Sequence, residues 1–238
     1  MEDKNRTKEQ LIDELVAIRG RVVELEAAKS EFDRLHESLL QDSEKLQIVI
    51  KNTMITLAST IDMRDSFKAG HQKRVAELAC AIAAEMGLPK EKVEEIELAA
   101  LIHDIGKVSV SADLLTKPDR LGETEYNIIK NHPQAGYEIL ERAEFPHLIG
   151  RIILQHHERL NGSGYPQGLL GDDIILEARI MAVADVVEAI ASQRSYRKAL
   201  GIDRALKEIT RYKNLLYDAD VVDACAGLFT EKGFKWSE

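Results

Sequence analysis

Five histidines and two aspartates carry the chemistry this chain could perform. His103-Asp104 lies in ALIHDIG, His156-His157 opens HHERLNGSGYPQG, and His71, His132 and Asp185 lie in AGHQKRV, NHPQAG and RIMAVADVVEAI. Neutral imidazole and carboxylate suit borderline and harder divalent ions, so the set points to manganese, iron or zinc rather than calcium. Adjacent helical residues point about 100° apart. His156 and His157 are therefore expected to flank a pair of ions rather than to serve one ion side by side. His103 would cap one ion while Asp104, with two oxygens, reaches a second. Two ions about 3.5 to 4 Å apart can hold and activate a hydroxide for in-line attack on phosphorus. Asp185 sits in an apolar run where burial is costly unless a cation compensates it. Taken singly, a His-Asp dipeptide or a buried histidine is more often a hydrogen-bonded core group than a ligand. The constellation, and no single member, carries the reading. His36 and His147 lack such company and read as structural or surface residues.

A basic island follows the last of these aspartates. Between Ser192 and Lys213 lie Arg194, Arg197, Lys198, Arg204, Lys207, Arg211 and Lys213, with Asp203 and Glu208 as the acids. Guanidinium forks match phosphate oxygens, and Arg194, Arg197 and Lys198 share a face if helical. A solvated helix face is the commoner fate of such charge. The chain as a whole is acidic, at -9, which argues against a general DNA or RNA binder but not against one small phosphorylated ligand.

The elements that must position these residues are helical. With 238 residues, 45% of them hydrophobic, the chain can bury one good core beside an accessory element. Its start, MEDKNRTKEQ, has no apolar run behind it, and no stretch approaches a membrane span. The expectation is a cytoplasmic protein. Cys80 and Cys225 stand far apart in apolar contexts and read as small core residues of a reducing compartment.

From about Thr7 to about Ile50 the composition favours helix, with Leu11, Leu15, Ile18, Val22, Leu25, Lys29, Phe32, His36, Leu39, Ser43 and Leu46 at alternating spacings of four and three. That is the seam of a coiled coil, apolar as far as Leu25 and weaker beyond it. A long helix packed on its own domain is the alternative. The span would be roughly 60 Å long, too long for one small domain to bury, which favours a parallel homodimer. Beyond residue 53 shorter amphipathic segments are expected at 75–87, 91–106, 123–131, 133–142, 147–158, 176–192, 202–212 and 218–230. No alternating strand pattern stands out, so the fold class is all-α: residues 1–52 a coiled-coil linker helix, residues 53–238 a helical domain.

HDIGK (103–107), HPQAG (132–136), HHERLNGSGYPQGL (156–169), RIMAVADVVEAI (179–190) and RSYR (194–197) together resemble the HD-GYP domain, a branch of the HD phosphohydrolase superfamily. The resemblance covers residues 53–235 and implies an HD-domain helical bundle and a metal-dependent phosphodiesterase that hydrolyses cyclic di-GMP to pGpG, with further cleavage to GMP open. It implies two divalent ions, iron or manganese foremost, on His71, His103, Asp104, His132, His156, His157 and Asp185. Asp104 and Lys107 would be catalytic, Lys107 standing beside the scissile phosphate. Gly164, Tyr165 and Pro166 would line the substrate, with Arg194 and Arg197 on its phosphates; an ordered loop that contacts a partner protein is the alternative for Gly164 to Pro166.

Some positions depart from the family's pattern. Asn161 and Glu188 stand where it commonly has Asp, and Ser195 where it has Pro, which puts loop geometry and rate in doubt. Phe67 stands where a subset carries a glutamate associated with a third metal, so two ions are expected. Two other functions stay open: a non-hydrolytic receptor or adaptor for cyclic di-GMP or a diguanylate cyclase, and an HD hydrolase of another nucleotide. With no room for an upstream sensory domain, any signal is expected to come from a partner or from association through the coiled coil.

Overall fold

Helix-forming segments broken at glycine, proline and polar turns give an all-α structure. The computed structural model describes residues 7–64, 70–117, 119–192 and 201–237, apart from the side chains of residues 62 and 64. Its main helices are α1 (Lys8–Arg64), α2 (His71–Glu85), α3 (Lys90–Ile102), α4 (Ala112–Leu115), α5 (Glu123–Lys130), α6 (His132–Arg142), α7 (His147–Gln155), α8 (Leu176–Ala191), α9 (Ile202–Arg211) and α10 (Ala219–Thr230). No named strand occurs among the described residues. Isolated bridges join Asn161 to Leu170 and Lys213 to Tyr217.

Internal contacts divide the chain into two units, Met1–Ile50 and Lys51–Glu238. In the first, α1 leaves Leu11, Leu15, Ile18, Val22, Leu25, Phe32, Leu39 and Leu46 exposed. In the second, α2, α3 and α8 form the centre. Leu78, Ile82, Ile96, Ile102, Ile180 and Met181 are fully buried there, each contributing about 1.5–3 kcal/mol of hydrophobic stabilisation. Small residues let these helices approach: Ala76, Ala79 and Ala83 on α2, Ala99 and Ala100 on α3. Helix α8 buries Ala178, Ile180 to Ala184, Val187 and Glu188, so its apolar stretch is enclosed on most sides.

Two of the expected helices end early, and both ends matter. The 91–106 segment stops being α-helical at Ile102 and continues as a tighter 3-10 turn over Ile105–Ser109. Helix 147–158 ends at Gln155, so His156 and His157 lie in the turn beyond it. The loop after them is tied back at both ends. The Glu158 carboxylate accepts from the backbone N–H groups of Gln167, Gly168 and Leu169 at 2.7, 3.1 and 3.0 Å. Gln155 Oε1 accepts from Ile175 N at 2.9 Å, where α8 begins.

Candidate metal centre

Three histidines are aimed by the ends of helices. His103 and His156 are the residues that close α3 and α7, and His132, the first residue of α6, lies two residues past the end of α5. Each directs Nδ1 at the carbonyl three residues earlier: His103 to Ala100 at 2.8 Å, His132 to Ile129 at 2.8 Å, His156 to Ile153 at 2.6 Å. The last carbonyls of a helix have no intrahelical partner, so they are available to accept. A carbonyl can only accept; Nδ1 must therefore carry the proton, and a neutral ring then presents Nε2 as a bare lone pair. Burial holds all three rings in that neutral form, the pKa of His132 falling to about 4. His157 is likewise depressed by burial and by its neighbour His156.

His71 is oriented differently. It is the first residue of α2, and its Nδ1 meets the carboxylate of Glu188. On the other side of the ring, Nε2 lies 3.3 Å from Asp185 Oδ1. Asp185 and Glu188 are one helical turn apart on α8, so both face α2. Burial works against ionising Asp185, but His71, His103 and His157 outweigh it and hold its carboxyl well below the usual range. Glu188 is also buried, and the hydrogen bond from His71, with Ser192 and Arg74, brings its carboxyl down to about 2.

Asp104 stands between the groups, with Oδ1 3.3 Å from His132 Nε2, Oδ2 3.7 Å from His103 Nε2 and the Lys107 ammonium 2.6 Å from Oδ2. Glycine makes this approach possible: a Cβ on Gly106 would overlap the His132 carbonyl and the Gly136 amide. The donor atoms form three sets, each within 4.8 Å: His132, His156 and His157; His71, His103 and Asp185; and His103, Asp104 and His156. The first two sets share no residue, and the third joins them.

This arrangement fits divalent cations. His132 and His156 point their Nε2 atoms at each other across 3.4 Å, and two bare lone pairs at that distance call for a cation between or beside them. His156 and His157 share one donor set, and His156 also belongs to the set with His103 and Asp104. Because α7 has already ended, the turn brings their ring centroids to 4.0 Å.

Tyr165 closes one side. Its ring lies 4.7 Å from that of His157 and 6.5 Å from that of His132, with Lys130 Nζ 5.5 Å from its centre. Gly164 sits so tightly on the Glu158–Arg159 backbone that a Cβ would collide with it. Pro166 follows Tyr165 through a cis bond. Asn161 Oδ1 accepts from Ser163 N at 3.1 Å and from its hydroxyl at 2.6 Å, an acceptor role that either Asn or Asp can fill. His36 and His147 are exposed. Arg194, Arg197, Lys198, Ser195 and Phe67 lie outside the described residues.

Sequence reasoning missed Glu158 and read Glu188 only as a departure. The signal for Glu158 was available in its position, an acid directly before a glycine-rich loop whose amides need an acceptor. Glu188 gives no such signal, because its partners His71 and Arg74 are far away in sequence.

An all-α bundle around buried imidazoles and carboxylates defines a class of helical proteins with a divalent-metal centre. The chain belongs to the HD domain family, which matches residues 56–221. It is 39% identical over 201 residues to the cyclic di-GMP phosphodiesterase response regulator RpfG of Xanthomonas campestris, covering 84% of this chain and 53% of that one. It is 38% identical over 146 residues to 3'3'-cGAMP-specific phosphodiesterase 3 of Vibrio cholerae, covering 61% and 32%. Among solved structures, an HD-GYP protein of Bdellovibrio bacteriovorus, Bd1817, matches with a TM-score of 0.56 at 22% identity, covering 67% of this chain and 51% of that one. The chain spans about half the length, or less, of the curated relatives it matches. No helix among the described residues is long and apolar enough to cross a membrane.

Proposed function

We propose that residues 53–238 form a metal-dependent phosphodiesterase domain that hydrolyses cyclic di-GMP to pGpG, with GMP as the product of a second cleavage. The observation that carries this is the convergence of His71, His103, Asp104, His132, His156, His157 and Asp185 in three overlapping donor sets. Two divalent ions, iron or manganese, would be held there, one toward His71 and Asp185, the other toward His132 and His157, with Asp104 between. When bound, they supply Lewis acidity and a nucleophile of lowered pKa.

The chain's own residues do the rest. Lys107, anchored on Asp104, offers its ammonium to the phosphoryl oxygens as negative charge grows on them. Asp104 orients that ammonium with the oxygen that also faces His103. Tyr165 provides an aromatic wall against which a base can stack, with Gly164 and Pro166 fixing its place. Arg194 and Arg197 are assigned to the phosphates on the HD-GYP resemblance alone. The exposed apolar seam of α1 supports a parallel homodimer through residues 1–52, where dimer geometry or a sensory or cyclase partner would set activity. Nucleotide signalling of this kind belongs in the cytoplasm.

A second cyclic dinucleotide, 3'3'-cGAMP, is favoured as an alternative substrate by the Vibrio cholerae relative. The test is anaerobic purification with iron or manganese, then chromatography of each dinucleotide after incubation with wild type and Asp104→Ala. Product from the wild type alone is expected. Tight binding without product, in a protein carrying two ions, would replace the enzyme by a receptor or adaptor, and full activity in Asp104→Ala would remove the mechanism.

A further inference from the structure

His103, His132 and His156 have their Nδ1 protons fixed by helix-end carbonyls, while His71, which like His132 opens its helix, has a side chain in that role. That side chain is Glu188, 1% exposed. Its Oε2 meets His71 Nδ1, and its Oε1 accepts from Arg74 Nε at 2.8 Å, Arg74 Nη2 at 2.7 Å and the Ser192 hydroxyl at 2.7 Å. We infer that Glu188 is a positioning residue: it keeps a proton of His71 at Nδ1, so that Nε2 is the atom left to an ion shared with Asp185, and one of the two ions depends on a carboxylate that does not touch it. The inference rests on the proposed assignment of His71 as a ligand.

The geometry makes the dependence specific. An ionised carboxylate is acceptor-only at both oxygens, so the hydrogen on the Glu188–His71 bond belongs to the imidazole. A carboxylate behind a ligating imidazole also raises its basicity, an effect a neutral carbonyl produces less strongly. Glu188→Gln keeps the size but not the symmetry. Arg74 presents two N–H groups to one side, which calls for the amide oxygen there. The amide NH2 then faces His71, Nδ1 must accept, and the proton moves to Nε2, the atom that would hold the ion.

The experiment titrates Mn2+ into the full chain after chelator treatment, for wild type, Glu188→Gln and His71→Ala, by calorimetry with metal analysis. Two ions are expected in the wild type. In Glu188→Gln the affinity for one ion should fall 10- to 100-fold, the usual effect of losing such a partner, while the other is unchanged. Nitrogen-15 NMR of the chain loaded with diamagnetic Zn2+ should show His71 protonated at Nδ1 and ligating through Nε2 in wild type, and should lose that pattern in the variant. If His71→Ala loses one ion and Glu188→Gln loses none, Glu188 has no positioning role and the ligand assignment stands. If His71→Ala also keeps both, the assignment falls and the inference with it. Equal weakening of both ions in Glu188→Gln would mark a general packing role and overturn the proposal.

Discussion

His132 and His156 face each other through Nε2 at 3.4 Å, each with its Nδ1 proton committed to a backbone carbonyl. Two lone pairs so placed repel, and the folded chain carries that repulsion until a cation relieves it. Mn2+ should therefore raise the midpoint of thermal unfolding of chelator-stripped protein. At 100 times the dissociation constant, one bound ion adds about 2.7 kcal/mol. Scanning fluorimetry with and without Mn2+ measures it; an unchanged midpoint at millimolar Mn2+ would refute the metal centre.

Acid should act on the metal-free chain through the same rings. His132 titrates at about 4 when folded because burial disfavours its charged form, against about 6.5 when unfolded. Between these values the unfolded state binds more protons, so stability rises with pH there. The contribution is complete above about pH 6.5 and is lost as pH falls toward 4, amounting to a few kcal/mol on the order of the 1.36 kcal/mol per unit rule. Urea unfolding in chelator at a series of pH values tests the sign. A flat profile over that window would show that the rings are not held neutral.

Lys107→Met should leave both ions bound and lower kcat by about 10²- to 10³-fold, the usual loss for one group that stabilises developing charge. The Michaelis constant should change far less. Steady-state kinetics on cyclic di-GMP alongside metal analysis separates this from loss of the ions, which would show instead as reduced metal content.

Glu158→Ala should strand three backbone amides of the loop that carries Tyr165. Unsatisfied groups of this kind cost about 1–3 kcal/mol each when buried, less where water reaches them, so the domain should be destabilised by about 3 kcal/mol. Its substrate affinity should fall with it. Denaturant unfolding and equilibrium binding measure the two, and unaltered affinity would separate the loop from the substrate.

Leu15→Glu with Val22→Glu places charges in the α1 seam. Sedimentation equilibrium at micromolar concentration should show a dimer for wild type and a monomer for the double variant. A monomeric wild type would end the coiled-coil reading.

The helices were legible in the sequence because apolar spacing and stop signals agree: 123–131, 133–142, 176–192 and 202–212 lie within two residues of α5, α6, α8 and α9 at either end. What local periodicity could not reveal is where a helix gives up one residue before a functional side chain. The apolar pattern of α3 runs past Ile102 through Ile105, yet the backbone tightens at His103 so that Gly106 can lie against the His132 carbonyl. The same limit applies to His156 and His157, whose relative direction is set by a turn and not by helical spacing. The constellation of imidazoles and aspartates was visible from residue types and motif order. Glu158 and Glu188 were not, since their work is defined by contacts across the fold, such as that between His71 and Glu188, 117 positions apart.

Three of the four helix-anchored imidazoles take their orientation from peptide carbonyls, which every residue type possesses. No single replacement at Ala100, Ile129 or Ile153 removes the accepting oxygen, since even proline, which lacks the N–H, keeps its carbonyl. Mutational drift can reach those rings only by deforming helix ends that the hydrophobic core already holds. His71 is the exception, for its orientation is encoded by side chains that one nucleotide change can alter. Variation in the proton-holding partner, and with it tuning of the centre over evolutionary time, should concentrate on the α2–α8 side of the site.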